Sequence, residues 1–121
     1  MDALNRDTIV VLWPTLSTEQ GGSALLPDWT KPPARRLTYR GCSWQPTSGG
    51  AEDIAGTADE LVGLVFGPLR MDVDGSCRVV PPGYAEENAL RVDGQVERHR
   101  TLIPHSVIRC STWREQPWQG R

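Results

Sequence analysis

No apolar run in this chain approaches the roughly 18 residues that a membrane-crossing helix needs. The opening residues 1–7 carry neither the basic end nor the apolar stretch of a secretory leader. The expectation is a soluble protein made in a cytoplasm, with no membrane partner. An excess of basic charge is also lacking: 13 Lys and Arg face 15 Asp and Glu, for a net charge of −2. No overall field draws such a chain to nucleic acid, so a DNA-binding module is disfavoured. Cysteine is scarce. Cys42, Cys77 and Cys110 are an odd number with no CxxC pair, which argues against a disulfide framework and against a standard zinc module. Each sits in or beside a strand-like segment, where a thiol serves as a small buried apolar side chain in a reducing compartment.

The residues that carry catalysis are equally thin. His99 and His105 are the only histidines, and their spacing around Pro104, with Cys110 beyond, matches no ligand pattern with a built-in geometry. No Gly-x-Ser-x-Gly elbow and no Gly-rich phosphate loop is present. Cys42 follows Gly41, yet nothing in its local sequence lowers a thiol pKa. The acidic pairs Glu52-Asp53, Asp59-Glu60 and Glu86-Glu87 lie in polar stretches, where solvated carboxylates are the default. The expectation is therefore a non-enzyme, with no catalytic residues, no metal and no cofactor.

What the chain does have is short strands and much turn-forming residue. Its 121 residues suit one domain with a modest core. Glycine (12) and proline (10) together approach a fifth of it, which signals long excursions between elements. Residues 6–13, where Thr8-Ile9-Val10-Val11-Leu12-Trp13 is β-branched and aromatic and too continuous for a one-sided alternation, predict a strand stopped by Pro14. Residues 14–33 are Ser-, Thr-, Gly- and Pro-rich and read as a long loop, in which Ala24-Leu25-Leu26 can pin a short strand and Asp28-Trp29 forms an anchor. A second strand, 36–44, has neither face cleanly apolar, which predicts neighbours on both sides. Residues 45–60 form another long loop, of the kind that in a small domain is functional or disordered.

Residues 61–66 imitate a helix start, because Thr57-x-x-Glu60 has capping-box spacing. Gly63, Gly67, the β-branched residues and the stop at Pro68 favour a strand instead. Asp72-Val73-Asp74-Gly75 reads as a turn and 77–80 as a short strand. Ala89 to Val92, then Asp93-Gly94, then Gln95 to Arg98 reads as a hairpin. A last strand covers 106–113, with a polar tail over 114–121. Short strands joined only by loops and turns bury their apolar faces by curling up, so the predicted fold is all-β, a small β-barrel or sandwich with long loops, in a single domain.

Five tryptophans stand out. Trp13 and Trp44 sit at strand ends and Trp113 near the end of the last strand, and core burial explains two or three of them. Trp29 and Trp118 lie in segments without a core of their own, where Trp commonly anchors a neighbouring subunit or folds back on its own domain.

The order of these features resembles the head-to-tail stopper proteins of long-tailed bacteriophages, a head-tail joining and connector family. The similar elements are the Thr8-Ile9-Val10-Val11 strand, the loop carrying Asp28-Trp29-Thr30, and Gly41-Cys42-Ser43-Trp44-Gln45-Pro46. They continue with Glu52 in the following loop, the apolar strand closing on Pro68, Asp72 to Asp74 before Arg78-Val79, and Val92-Asp93-Gly94. The resemblance covers nearly the whole chain and rests on order and spacing. It implies a non-catalytic virion protein of the phage neck, a homo-oligomeric ring, typically hexameric, between a head-tail adaptor protein and a tail terminator protein, with double-stranded DNA passing non-specifically through its lumen.

In that family the loop after the second strand points into the channel and helps retain packaged DNA. Here it maps to Ser48, Gly49, Gly50, Ala51, Glu52, Asp53, Ile54 and Gly56, whose acids would repel phosphates and suit a quick-release plug. The residues expected to contact neighbouring subunits or partners are Asp28, Trp29, Trp118, Asp93 and Gly94. Two alternatives stand beside this reading. One is a tail terminator or another neck connector; the other is a small monomeric β-barrel module that binds a ligand or peptide through Trp29 and Trp44.

Overall fold

The structure is a computed structural model that describes residues 6–18, 22, 24–47, 62–100 and 102–112. Among them are nine strands: β1 (Asp7–Trp13), β2 (Thr15–Thr18), β3 (Leu25–Asp28), β4 (Arg35–Pro46), β5 (Val62–Gly67), β6 (Arg78–Val80), β7 (Leu90–Val92), β8 (Glu97–His99) and β9 (His105–Ser111). One 3-10 turn, Glu86–Asn88, precedes β7. Six strands pair in the order β5-β4-β1-β6-β7-β9, and β9 returns to pair with β5, so the sheet closes into a barrel. Every pairing is antiparallel. Closure removes the unpaired edges that an open sheet would expose. β8 lies outside the ring on β9, while β2 and β3 form a separate two-stranded sheet.

The all-β small barrel is as expected, and the apolar run of β1 shows why its sequence does not alternate. Ile9 and Val11 point inward, into a core with Cys42, Val65, Met71, Val79, Leu90, Ile108 and Cys110. Leu12 points outward, yet it too is buried, in a second cluster with Val80 and Ala89 that Trp29 and Tyr84 cover. The outer face of β1 is exposed at Thr8 and becomes covered toward Leu12, so from Val10 onward neither face needs a polar residue.

The mixed faces of β4 have a different cause from the one expected. Ile9 pairs with Tyr39 and Val11 with Leu37, but Asp7 pairs with Cys42, a register shift of one residue. Gly41 sits in that step at φ 73°, a left-handed conformation that glycine adopts without steric cost. The bulge switches the inward set from Leu37 and Tyr39 to Cys42 and Trp44. The first half of β4 alternates between half-buried and exposed positions, whereas after the bulge Cys42 and Ser43 are both buried. Trp44 then meets Tyr84 edge-on, with ring centroids 6.3 Å apart, and its backbone N–H donates to Asp7 at 2.7 Å. Trp13, at the opposite end of β1, donates its indole N–H to the Asp72 carbonyl.

The expected hairpin around Asp93-Gly94 is corrected by the structure. β7 and β8 do not pair with each other; both pair with the same edge of β9, Val92 opposite Cys110 and Glu97 opposite Val107. Four residues, 93–96, thus face only Ile108 and Arg109, a wide bulge held by the Asp93 N–H donating to the Arg109 carbonyl at 2.7 Å. Gly94 supplies φ 73° there. Asp-Gly meets the demand for positive φ in a tight turn and in a bulge alike, so the dipeptide does not distinguish the two. The hairpin is β8–β9, with His99 opposite His105 as its last pair. The excursion over 14–33 also holds more order than expected. Its pinned strand is β3, and β2 is its partner, with Thr18 opposite Leu25 and Leu16 opposite Pro27.

Gly63 and Gly67 of β5 face inward, and their neighbours set different tolerances. A Cβ on Gly63 would fall within the rigid Trp44 ring, whereas one on Gly67 would meet the flexible Met71 side chain. Gly63→Ala is expected to destabilise the fold by about 2 kcal/mol, in the range for overpacked cores, and Gly67→Ala by less. Denaturant unfolding followed by tryptophan fluorescence checks the order, and an equal cost at both sites would contradict it.

Candidate interaction surfaces

The three thiols are buried at 0 to 2% exposure, and burial raises each pKa from its ordinary value. The Cys42 thiol is pushed up to about 11, and those of Cys77 and Cys110 to about 12. A thiol that stays protonated inside a core is not a nucleophile. His99 and His105 stack face to face, with ring centroids 4.8 Å apart and 10° between planes, as the last strand pair before the β8–β9 turn. Cys110 faces the core, so these three residues do not converge. Among the described residues no group of three His, Cys, Asp or Glu side chains is placed to hold a metal. Glu86 is engaged by Arg36 in an exposed ion pair.

The surface instead offers two projecting hairpins. On β2–β3, the face that carries Leu16, Leu25 and Pro27 is open to solvent, with Leu25 60% and Leu16 50% exposed. At the tip of β8–β9, Leu102 is 98% and Ile103 76% exposed. Behind that tip lies a groove of about 360 Å³, between β4, β5 and the turn, lined by Phe66, Pro68, Ile103 and Pro104 with Ser43, Gln45 and His105 as its polar members. Consecutive branched apolar side chains on a turn are costly to hydrate, and such sites mark contacts with other proteins.

A second recess, of about 400 Å³, unites residues that the sequence analysis chose separately. Pro27 and Trp29 form one wall, Asp93 and Gly94 another, and Arg78 and Arg91 lie between. Asp28 does not line it but builds it. Its carboxylate accepts from the Thr30 hydroxyl and N–H and from Ser17 across the hairpin, and these bonds, Thr30 foremost, hold it below the usual carboxylate range. The turn that they fix places the Trp29 ring 4.3 Å from the Arg78 guanidinium. Trp29 thus folds back onto its own barrel and keeps one side open. Trp44 is elsewhere, turned toward Tyr84, so the structure does not bring Trp29 and Trp44 together. The eight channel residues from Ser48 to Gly56, and Trp118, lie outside the described residues.

Arg91, Leu102 and Ile103 were not singled out in the sequence, and Arg78 was noted only as part of the family resemblance. Leu102-Ile103 ahead of Pro104 carried a signal, an apolar pair outside any strand pattern. The two arginines carried none, because their adjacency depends on the β6–β7 register.

No family model matches the chain, and no curated protein matches it. Three solved chains do. One is the solution structure of a protein from Shigella flexneri 2a, solved as a structural-genomics target, at a TM-score of 0.56 and 18% identity. The match covers 96% of this chain and 100% of that one. At this identity the likeness shows a shared fold.

The buried thiols make stability depend on pH with a definite sign. An unfolded thiol releases its proton near 9.0, while the folded ones keep theirs to about 11 or 12. Above pH 9 the unfolded chain therefore binds fewer protons than the folded chain, and stability falls as pH rises. For Cys110 the slope is on the order of 1 kcal/mol per pH unit between these limits. Denaturation midpoints measured from about pH 9 upward should drop, and Cys110→Ala should flatten the slope. A native chain whose thiols react with a disulfide reagent as fast as a free small thiol would contradict the burial.

Proposed function

We propose that this chain is a structural virion protein, a head-to-tail stopper subunit of a long-tailed phage neck. It assembles as a ring, typically of six, between the adaptor and the tail terminator, and its lumen passes double-stranded DNA. The observation that carries the reading is a closed, side-chain-filled barrel whose projecting hairpins bear exposed apolar residues, Leu16 and Leu25 on one and Leu102 and Ile103 on the other. Among the described residues the barrel interior is packed with apolar side chains, which turns its working surface outward. Apolar tips on short hairpins suit contacts with neighbours in a ring, where each is covered on assembly. The order of sequence features supports the stopper position within that machinery; a terminator or another connector would use the same kind of surface.

A monomeric peptide-binding module is the second reading, favoured by the recess beside Trp29. The two readings differ in what covers the apolar tips.

Two experiments separate them. Replacing Leu102 and Ile103 with glutamate leaves the barrel core untouched and should abolish ring formation on mixing with portal and adaptor, as read by negative-stain microscopy. Deleting residues 48–57 should give particles that attach tails poorly or leak DNA. Rings that form despite the glutamates, or normal DNA retention after the deletion, would refute the stopper assignment.

A further inference from the structure

Arg78 and Arg91 stand directly opposite each other on β6 and β7, on the outer wall of the barrel. Like charges so placed destabilise a sheet unless something offsets them. The Trp29 ring lies against the Arg78 guanidinium, and the Asp93 carboxylate lies 3.0 Å from Arg91 Nε. That nitrogen also donates to the Ser111 hydroxyl at 3.2 Å. The Arg91–Asp93 pair is 53% and 35% exposed, so solvent screens it and its hold is weak. Gly75 and Gly94 lie side by side in the lining of the same recess, where a Cβ on Gly75 would sit 3.6 Å from the Gly94 carbonyl, in ordinary contact.

We infer that this recess binds a carboxylate-bearing segment of a partner protein. The partner's Asp or Glu takes Arg91 from Asp93, and an apolar neighbour in the same segment lies on the open side of Trp29. Asp93 is a placeholder that holds Arg91 until the partner arrives. β6 and β7 are paired on both edges, so no strand can add to them and recognition rests on side chains. A nucleic-acid backbone fits poorly. It needs a basic stripe to follow, whereas Glu86 and Glu87 flank the other side of Trp29 and the chain carries a net charge of −2. This inference does not depend on the virion reading.

The test is an amide and side-chain NMR titration of the full chain with an acetylated tetraglutamate amide, with the tetraglutamine peptide and an oligothymidylate as controls. Saturable shifts are expected at the Trp29 indole N–H, the Arg91 Nε–H and the Gly94 amide with the glutamate peptide alone. Arg91→Gln should weaken binding about tenfold, the scale of a charge-assisted hydrogen bond. Asp93→Asn removes the competing carboxylate and should tighten it about threefold, the scale of an exposed ion pair. A folding defect cannot produce that tightening. Absent shifts, equal shifts with tetraglutamine, unchanged or weaker binding by the Asp93 variant, or tighter binding of the oligothymidylate would each overturn the inference.

Discussion

Everything in this fold depends on β9 pairing with β5 over six residues, from Val62 opposite Ser111 to Gly67 opposite Ser106. Without that pairing the sheet would have two long edges and an interior open to water. With it, Val65 and Ile108 meet inside, and the core needs no further layer to cover it. The interior is therefore spent on stability. Three cysteines take small inward positions in it, where deprotonation is disfavoured, and the chemistry that a thiol could perform is lost with its exposure.

Closure also decides what the sequence reveals. Short β-rich segments between turns leave a barrel or sandwich as the way to bury their faces, so the fold class was readable from pattern alone. Most of β1 could be read as covered on both sides because its apolar run is too continuous for a one-sided alternation. The bulge at Gly41 could not, because a glycine in a strand states that something irregular happens without stating which face follows it. Asp93-Gly94 failed in the same way. Positive φ is a local demand, but whether the chain then reverses or continues along β9 is set by which strand lies alongside, a long-range fact.

The recess shows the same division. Asp28-Trp29 and Asp93-Gly94 could each be singled out, one as an aromatic in a loop and the other as a turn signal. That they face one another follows from β6 pairing with both β1 and β7, a register set by many weak contacts. Arg78 and Arg91 looked like ordinary surface charges. Only opposite each other do they become a problem that Trp29 and Asp93 must offset. The exposed Leu102 and Ile103 were open to notice, since an apolar pair beside a proline has no strand face to occupy.

A two-stranded sheet is marginal by itself in water, so β2–β3 requires support from the barrel. That support comes through Asp28. One carboxylate oxygen accepts from Ser17 and so ties the two strands together; the other accepts from Thr30 and so fixes the turn that seats Trp29 on the barrel. The apolar hairpin face and the arginine recess therefore share one carboxylate as their joint. Whatever displaces Trp29 from Arg78 also loosens the base of the hairpin, and whatever covers Leu16 and Leu25 steadies the wall of the recess. Displacing Trp29 also uncovers Leu12, Val80 and Ala89 on the outer face of the barrel.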